Sequence, residues 1–315
     1  MQGQIASLGA LAVLQSEVNS WPVAHFGLWA IGYGGEPPGR VVKLGEMKAQ
    51  FWLASLSKPI SALAILVGFE EGLFALDDLV SPLEISWREL LCHASGLAYD
   101  HDGAVGIADL ELLFGSDSVR RSGYFIRRPR QRRIYSNLGF EVLAHALSSE
   151  ANMPFHQYVR EAVLEPLEMR STTIEPGRFE HGGPSGAAAG VVSTVEDMAK
   201  FTEALIAPKL ISAATIAAAT TNQIGILPGI LPGYGVQENN AWGLGFEIRD
   251  SKQPHWSAPS NSGETFGHFG RSGTFLWIDP IAQVALCFLG DRPFDDFAKS
   301  AWPRLSETVL NYLVN

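Results

Sequence analysis

Patterns typical of β-strands occur near both ends of this 315-residue chain, and helical patterns fill the part between them. The strand-like runs are short and bounded by turn residues, and they lie at 23–31, 40–44, 245–248, 265–270, 274–278 and 284–289. Tight turns join the later runs, which favours an antiparallel arrangement. Strands from both termini are expected to share one sheet, with the middle of the chain inserted into it. The order predicts an α+β fold, an antiparallel sheet flanked by helices plus a mostly helical inserted domain.

The helical patterns set the expected domain boundaries. Apolar residues recur at helical spacing at Leu8, Leu11, Leu14 and Val18, in the segment after Ser55, and at 87–93, 138–148, 155–163, 195–206, 211–219 and 295–313. Ser86 with Glu89, and Ser193 with Glu196, have the spacing of capping boxes. We expect residues 1–79 and 241–315 to form the sheet domain and residues 80–240 to form the helical domain.

The composition excludes some classes of partner. The hydrophobic fraction of 46% is sufficient for a large core, and the net charge is −10. Nucleic acids and anionic membranes both require a basic surface, so neither is expected as a partner. No run reaches the ~18 apolar residues of a membrane span. The apolar N-terminus has no preceding Lys or Arg and is interpreted as a helix, not an export signal, so we expect a cytoplasmic protein. Cys92 and Cys287 are expected to be free, buried thiols.

The first candidate catalytic group is the pair Ser55 and Lys58. A short run of apolar residues ends just before Ser55, and a long apolar segment with a helical pattern follows it. Ser55 therefore lies where a core helix is expected to begin. Residues three apart share a helix face, which brings the hydroxyl and the amine close together. The alternative is a helix N-cap serine followed by a solvated lysine. Other parts of the sequence must decide between the two.

A second candidate group, Tyr135 and Asn137, precedes the helical segment 138–148. A tyrosine at such a position is often only a packed aromatic. Next to Lys58, however, its pKa would fall, and the phenolate could take the proton of Ser55. Asn137 adds an amide that could bind a substrate carbonyl or amide.

The third candidate is His268 with Gly270, at the end of a strand-like run. His-x-Gly also occurs at His25, His101 and His181, but only the copy at His268 ends its strand in a glycine turn. Acyl transfer needs a strand edge whose N–H groups face the developing oxyanion, and Gly270 would let a substrate lie against that edge. The backbone N–H groups of Ser55 and Arg271 are the expected oxyanion donors.

In this order, the three groups resemble the motifs of the serine β-lactamase and DD-peptidase superfamily, on the class C β-lactamase side. Three further stretches are similar to that family: 90–97, 189–198 and 242–246. The resemblance covers nearly the whole chain. It implies a β-lactamase/transpeptidase-like fold, an active site in the groove between the two domains, and no metal or organic cofactor. Trp52, Trp242 and Trp256 are candidates for the acyl pocket.

The third motif departs from class C β-lactamases, which have Lys-Thr-Gly there. A neutral His268 would attract a substrate carboxylate less than a lysine would. His-x-Gly occurs in some DD-peptidases and D-aminopeptidases of the superfamily, whereas related esterases often have Trp-Gly-Gly. Without an export signal, work on the cell wall is disfavoured. The sequence therefore predicts a serine hydrolase that forms an acyl-enzyme on a small-molecule ester, amide or lactam, most simply a carboxylesterase.

Several alternatives stay open. The chain could be a β-lactamase, a D-amino-acid peptidase or amidase, an acyltransferase, or a non-catalytic binding protein that keeps the fold. The basic run from Arg127 to Arg133 is either a solvated loop or, if it overhangs the groove beside Tyr135, an attractor for an anionic substrate or a phosphopantetheine or coenzyme A thioester. The sequence does not indicate an oligomeric state.

Overall fold

The computed structural model describes residues 2–35, 40–100, 107–115, 123–178 and 183–314, with residues 2–10 and 107 described for the backbone alone. Some predicted features lie outside the described residues. They are the side chain of Leu8, the turn at 36–39, and the His-x-Gly copies at His101 and His181. Among the helices of the described residues, none combines the length and apolar character needed to cross a bilayer. Cys92 and Cys287 are free and buried, which confirms the prediction.

The described strands are β1 (Phe26–Gly32), β2 (Arg40–Gly45), β3 (Phe51–Trp52), β4 (Leu79–Val80), β5 (Ile85–Ser86), β6 (Thr173–Ile174), β7 (Val191–Ser193), β8 (Gly229–Leu231), β9 (Gly235–Gln237), β10 (Glu247–Ile248), β11 (Phe266–Gly270), β12 (Thr274–Asp279) and β13 (Val284–Gly290). The described α-helices are α1 (Gln2–Asn19), α2 (Ser57–Glu70), α3 (Trp87–Leu91), α4 (Ile107–Phe114), α5 (Asn137–Glu150), α6 (Phe155–Val159), α7 (Val195–Ile206), α8 (Ala213–Ala219) and α9 (Asp296–Val314). A 3₁₀ turn, Ala54–Leu56, leads directly into α2.

The main sheet has six strands in the order β10-β11-β12-β13-β1-β2, and each neighbouring pair is antiparallel. Strand β1 from the N-terminal part pairs with β13 from the C-terminal part, with Trp29 opposite Cys287. This pairing confirms the prediction of one antiparallel sheet built from both ends of an α+β chain. The expected domain boundaries at residues 79 and 241 stay a prediction.

Strand β13 is buried along its whole length, because helices cover both faces of the sheet. Alternate residues enter different cores, as the two-residue period of a strand requires. Leu286 joins the core that contains Trp302 of α9, whereas Cys287 joins the core that contains Ile60 of α2. Helix α2 is therefore anchored against the sheet, and its N-terminus is held at a fixed position.

Some local predictions are wrong. Helix α7 is capped by the side chain of Thr194, which accepts from the N–H of Asp197, and the predicted box of Ser193 and Glu196 is displaced by one residue. The segment predicted as one helix at 155–163 is the short α6 followed by a π-helical turn, Arg160–Leu164. The two-residue strand β3, which pairs with β7, was not predicted because strands of this length have no detectable period.

Candidate active site

Ser55 lies in the 3₁₀ turn between β3 and α2. Its neighbours Ala54 and Leu56 are fully buried, whereas Ser55 itself is partly exposed. Ala54 has a φ of +47°, a left-handed conformation that is uncommon for a residue with a side chain. Ser57 holds this turn, because its hydroxyl donates to Ala54 O at 2.6 Å and accepts from the N–H of Val191 at 3.0 Å. The turn presents the Ser55 side chain at the start of α2, as predicted.

Gly270 packs directly behind this turn. A Cβ at position 270 would lie 2.0 Å from the carbonyl oxygen of Leu53, and the Thr274 hydroxyl donates to the same oxygen at 2.9 Å. Glycine is needed here so that strand β11 can approach the chain's own backbone before Ser55. The predicted role of Gly270 in letting a substrate lie against this edge stays a prediction.

Ser55 opens into a cavity of about 110 Å³. The cavity is lined by Ser55, Tyr99, Tyr135, Leu231, Pro232, Gly233, Trp242, Glu247, His268, Phe269, Arg271 and Phe294. Four of the predicted site residues, Ser55, Tyr135, His268 and Arg271, therefore meet at one cavity although they are far apart in sequence. Of the three tryptophans proposed for the acyl pocket, Trp242 lines it and the other two do not.

Tyr135 connects Ser55 with His268. Ser55 and Tyr135 line the same cavity and are close enough for their hydroxyl groups to interact, and the Tyr135 hydroxyl lies 3.5 Å from Nε2 of His268. Nδ1 of His268 lies 2.7 Å from the Phe269 carbonyl oxygen, which can only accept a hydrogen bond. A neutral His268 therefore carries its proton on Nδ1, and Nε2 is an acceptor that faces the Tyr135 hydroxyl.

The pKa of Tyr135 differs from the prediction. Burial raises it well above its ordinary value, and the hydrogen bond from Ser55 only partly opposes this. Burial and the nearby charge of Lys58 also lower the pKa of His268 to about 3. At neutral pH the site therefore holds a neutral phenol and a neutral imidazole. The raised pKa of Tyr135 does not favour the expected phenolate, because burial disfavours the charged form.

Lys58 is fully buried behind the cavity, on the first turn of α2. Its Nζ donates to Asn137 Oδ1 at 2.6 Å and to the Ala188 carbonyl at 2.8 Å, and it lies 4.8 Å from the centroid of the Tyr135 ring. Burial lowers the pKa of Lys58 to about 7, although Asp100 and Glu141 raise it. A large fraction of this amine is therefore neutral near pH 7, and a neutral amine can accept a proton.

Glu141 supports the position of Lys58. It is fully buried on α5, where its carboxylate accepts from the N–H groups of Ser185 at 2.8 Å and Ala188 at 3.4 Å. Ala188 in turn presents its carbonyl to Lys58. Burial raises the pKa of Glu141 to about 7, against the opposing effect of the Ser185 and Ala188 N–H groups and Lys58. Glu141 could not be predicted as a site residue, since a lone Glu in a helical pattern carries no signal of its own.

Asn137 is the first residue of α5 and is almost fully buried. Ser136 caps the helix by accepting from the N–H of Gly139, and His93 Nδ1 accepts from the Ser136 N–H at 3.1 Å. Asn137 Oδ1 accepts a hydrogen bond from Lys58 Nζ, so Asn137 helps to position the lysine side chain. Its predicted contact with substrate stays a prediction.

A buried ionic cluster behind β11 was also missed. The carboxylate of Glu247 accepts from Lys252 Nζ at 2.8 Å and from Trp256 Nε1 at 2.6 Å, and it lies 3.0 Å from His255 Nε2. Burial alone would raise the pKa of Glu247, but Lys252 and His255 hold it well below its ordinary value. Glu247 is next to β11 because β10 pairs with it, Glu247 opposite Gly267. No local spacing links these four residues, so the cluster could not be predicted from the pattern of the chain.

The other His-x-Gly copy that can be described, at His25, lies outside the cavity and pairs with Glu46 at 2.8 Å. The position of His25 is consistent with the prediction that His268, and not His25, belongs to the site. Within the described residues, no group of His, Cys, Asp and Glu side chains has an arrangement that could hold a metal ion.

Comparison with known proteins identifies the class of this fold and site. The sequence profile of the family described as Beta-lactamase matches residues 29–310. The crystal structure of a β-lactamase from Mycobacterium bovis superimposes on this structure with a TM-score of 0.82. The two sequences are 42% identical, and the match covers 95% of this chain and 99% of the β-lactamase chain. The chain has the β-lactamase-like α+β fold of serine hydrolases, and it belongs to the Beta-lactamase family.

Two more distant similarities lie within the same class. Penicillin-binding protein 4* of Bacillus subtilis (strain 168) is 29% identical over 174 residues, which cover 48% of this chain and 37% of that protein. The chain spans no more than half the length of the curated relatives it matches most strongly. The structure of EstCE1, described as a hydrolase with promiscuous acyltransferase activity, is 19% identical, with a TM-score of 0.72 and full coverage of both chains, and this likeness shows the fold alone.

Proposed function

We propose that this protein hydrolyses carboxylic esters through an acyl-enzyme formed on Ser55. One observation carries the proposal: Ser55 and Tyr135 line one cavity, behind which Lys58 is buried with a pKa of about 7. A serine hydroxyl is a weak nucleophile unless a nearby base takes its proton. This arrangement supplies both the nucleophile and the base.

Lys58 is the base that the geometry supports best. Three groups near Ser55 could accept a proton, namely Lys58, Tyr135 and His268. The pKa of His268 is about 3 and that of Lys58 about 7, so the lysine is the stronger base of the two. Tyr135 is a phenol at neutral pH and has no negative charge to contribute. The neutral amine of Lys58 therefore draws the proton from Ser55, directly or through the Tyr135 hydroxyl.

Tyr135 carries a proton between the nucleophile and the leaving group. The Tyr135 oxygen can accept a hydrogen bond from the Ser55 hydroxyl, and the Tyr135 hydrogen is directed to Nε2 of His268. When the tetrahedral intermediate breaks down, a phenol at this position can protonate the departing oxygen and receive a proton from the Lys58 ammonium in exchange. His268 fixes the direction of the hydroxyl but stays neutral.

The oxyanion that forms on the substrate carbonyl needs hydrogen-bond donors. Ser55 and Arg271 line the same cavity, at the start of α2 and just after β11. We assign their backbone N–H groups to the oxyanion hole, where each such donor contributes about 10²- to 10³-fold in rate. Water then releases the acyl group by the reverse proton transfers.

An ester is favoured over a lactam or a D-peptide by the charge at the third motif. The neutral ring of His268 lacks the charge with which a lysine would bind the carboxylate of these substrates. Aromatic and apolar side chains, including Trp242, Phe269 and Phe294, form much of the cavity wall and suit an apolar acyl group. EstCE1 shares the fold and supports a hydrolase, with acyl transfer as a neighbouring activity.

Steady-state hydrolysis tests this proposal. We would measure kcat/KM for p-nitrophenyl acetate, butyrate and octanoate, for nitrocefin, and for D-alanyl p-nitroanilide, with wild type and Ser55→Ala. Ser251→Ala, at an exposed serine outside the cavity, is the matched control. We expect ester turnover to exceed turnover of the lactam and the anilide, and to be lost only in Ser55→Ala.

Two outcomes would contradict the proposal. Rates on nitrocefin or the D-alanyl anilide that exceed all ester rates would show lactamase or amidase activity. Absence of turnover and of any adduct with a fluorophosphonate or a labelled penicillin would support a non-catalytic binding protein.

We also propose a cytoplasmic location, which cell fractionation tests.

A further inference from the structure

A second cavity, of about 390 Å³, adjoins the cavity of Ser55. The two share Tyr99, Tyr135 and Pro232, but neither Ser55 nor Arg271 lines the second one. Its volume lies in the range of small-molecule sites, about 300 to 1,000 Å³. The second cavity is therefore next to the cavity of Ser55, on the side of Tyr135.

The wall of the second cavity is largely apolar. Ile126, Ile134 and Ile230 contribute to it, and Ile126 and Ile230 are 51% and 55% exposed. Isolated exposed apolar residues are ordinary, but here they converge on one concave surface next to the proposed nucleophile. An alkyl or aryl group would cover them and release the water from their surface.

Three arginines, Arg127, Arg132 and Arg133, also line the second cavity. The basic run divides into two sets. Arg130 pairs with Glu89 at 2.6 Å, and the buried Arg133 donates to the Cys92 carbonyl at 2.7 Å, so both are structural.

Among the residues that the structure describes, neither Arg127 nor Arg132 forms an ion pair with a carboxylate. Among the described residues, the guanidinium of Arg127 donates only to the carbonyl of its neighbour Ile126, at 2.8 Å. Both guanidinium groups are therefore available to pair with an external anion beside the site.

We propose that the second cavity binds the leaving group of the substrate, and that this leaving group has an apolar part next to the scissile bond and an anionic group further out, held by Arg127 and Arg132. The inference rests on the proposed function. Tyr135 is the residue that protonates the leaving oxygen or sulfur, so it must touch that half of the substrate. The cavity lies on Tyr135 and lacks both proposed oxyanion donors, which places it on the leaving-group side.

The experiment compares matched thioesters that share one acyl group. S-acetyl-6-mercaptohexanoate and S-acetyl-6-mercaptohexanol differ only in the terminal carboxylate, and the released thiol is followed with Ellman's reagent. We expect wild type to favour the anionic thioester by about tenfold in kcat/KM, chiefly through KM, the effect of two exposed ion pairs of ordinary strength. The preference should weaken in about 0.5 M NaCl, where exposed charges are screened.

The variants Arg127→Gln and Arg132→Gln should each lower this preference by about threefold, and the double variant should abolish it. Arg128→Gln is the matched control, because Arg128 is exposed in the same run but does not line the cavity. Mono-p-nitrophenyl adipate and p-nitrophenyl hexanoate form a second pair with the anion on the acyl half. An arginine-dependent preference confined to this second pair would overturn the assignment to the leaving group.

Binding gives a readout that does not depend on turnover. Calorimetry with Ser55→Ala should show hexylphosphonate binding about tenfold more tightly than 1-hexanol, with the difference lost in Ser55→Ala/Arg127→Gln/Arg132→Gln. Turnover of both thioesters at equal rates, with equal affinity for the two hexyl ligands, would overturn the inference and leave the hydrolase intact. If no ester is hydrolysed but hexylphosphonate binds through the arginines, the proposed function fails and the anion site stands.

Discussion

The hydroxyl oxygen of Tyr135 lies 3.5 Å from Nε2 of His268, in the cavity that Ser55 also lines. Because Nδ1 of His268 is committed to the Phe269 carbonyl, Nε2 can only accept, and the Tyr135 hydrogen is directed away from the serine. The Tyr135 oxygen is thereby available as an acceptor for the Ser55 hydroxyl. One phenol thus connects the nucleophile to the third motif.

Replacing Tyr135 with Phe should remove this connection without emptying the site. We expect kcat to fall by about 10²- to 10⁴-fold on p-nitrophenyl butyrate, the range of a general acid or base. Tyr158→Phe is the control, since the Tyr158 hydroxyl donates to Glu71 far from the cavity. Full activity in Tyr135→Phe would show that Lys58 acts on Ser55 without the phenol.

Protonation of Lys58 should control the pH dependence. Since the neutral amine is the active form, kcat/KM for a neutral ester should rise about tenfold per pH unit below pH 7 and level off above it. Lys58→Arg keeps the charge but not the titration, so its residual activity should be low and should lack this inflection. An inflection near pH 7 that persists in Lys58→Arg would assign it to another group.

Glu141 should set the position of that inflection. Its carboxylate raises the pKa of Lys58, so Glu141→Gln should move the inflection to lower pH. Lys58 and Glu141 titrate as a coupled pair, so the observed pH of the inflection is an apparent pKa of the pair. Glu150→Gln, at the exposed C-terminal end of the same helix, should leave the inflection where it is. A shift to higher pH in Glu141→Gln would contradict the assigned coupling.

The packing of Gly270 against Leu53 predicts a steric effect. Gly270→Ala places a methyl group 2.0 Å from a backbone oxygen that cannot rotate away, so strand β11 or the Ser55 turn must shift. We expect a loss of about 1–3 kcal/mol in the free energy of unfolding and a lower kcat. Gly263→Ala is the control, because its Cβ would meet Asp250 O at an ordinary 3.5 Å. Urea denaturation and ester kinetics measure both effects, and equal stability of the two variants would contradict this account.

The ionic cluster of Glu247 should contribute to stability. Glu247→Ala leaves the buried Lys252 ammonium unpaired, which costs about 3–5 kcal/mol, whereas Glu247→Gln/Lys252→Met should cost less than the single change. Since the folded pKa of Glu247 is lowered, its contribution is present above its ordinary pKa of 4.5 and is lost as pH falls below it. Denaturation curves at pH 7 and pH 4 test this, and a double variant less stable than Glu247→Ala would refute it.

The sequence was sufficient to predict the groups that rest on local spacing. Ser55 with Lys58, and Tyr135 with Asn137, were found because each pair lies at a helix entrance within three residues. It could not predict the protonation state of Tyr135, because the depth of burial depends on the packing of Trp242 and His93 around the ring. Nor could it predict Glu141 or the Glu247 cluster, whose partners come together only in the folded chain.

Mass spectrometry of the acid-quenched reaction with p-nitrophenyl acetate tests the central claim most directly. We predict that one acetyl group is added per chain, that peptide mapping places it on Ser55, and that Ser55→Ala carries none while Ser251→Ala is labelled like wild type. Ester turnover without an adduct on Ser55, or the same adduct in Ser55→Ala, would contradict the account.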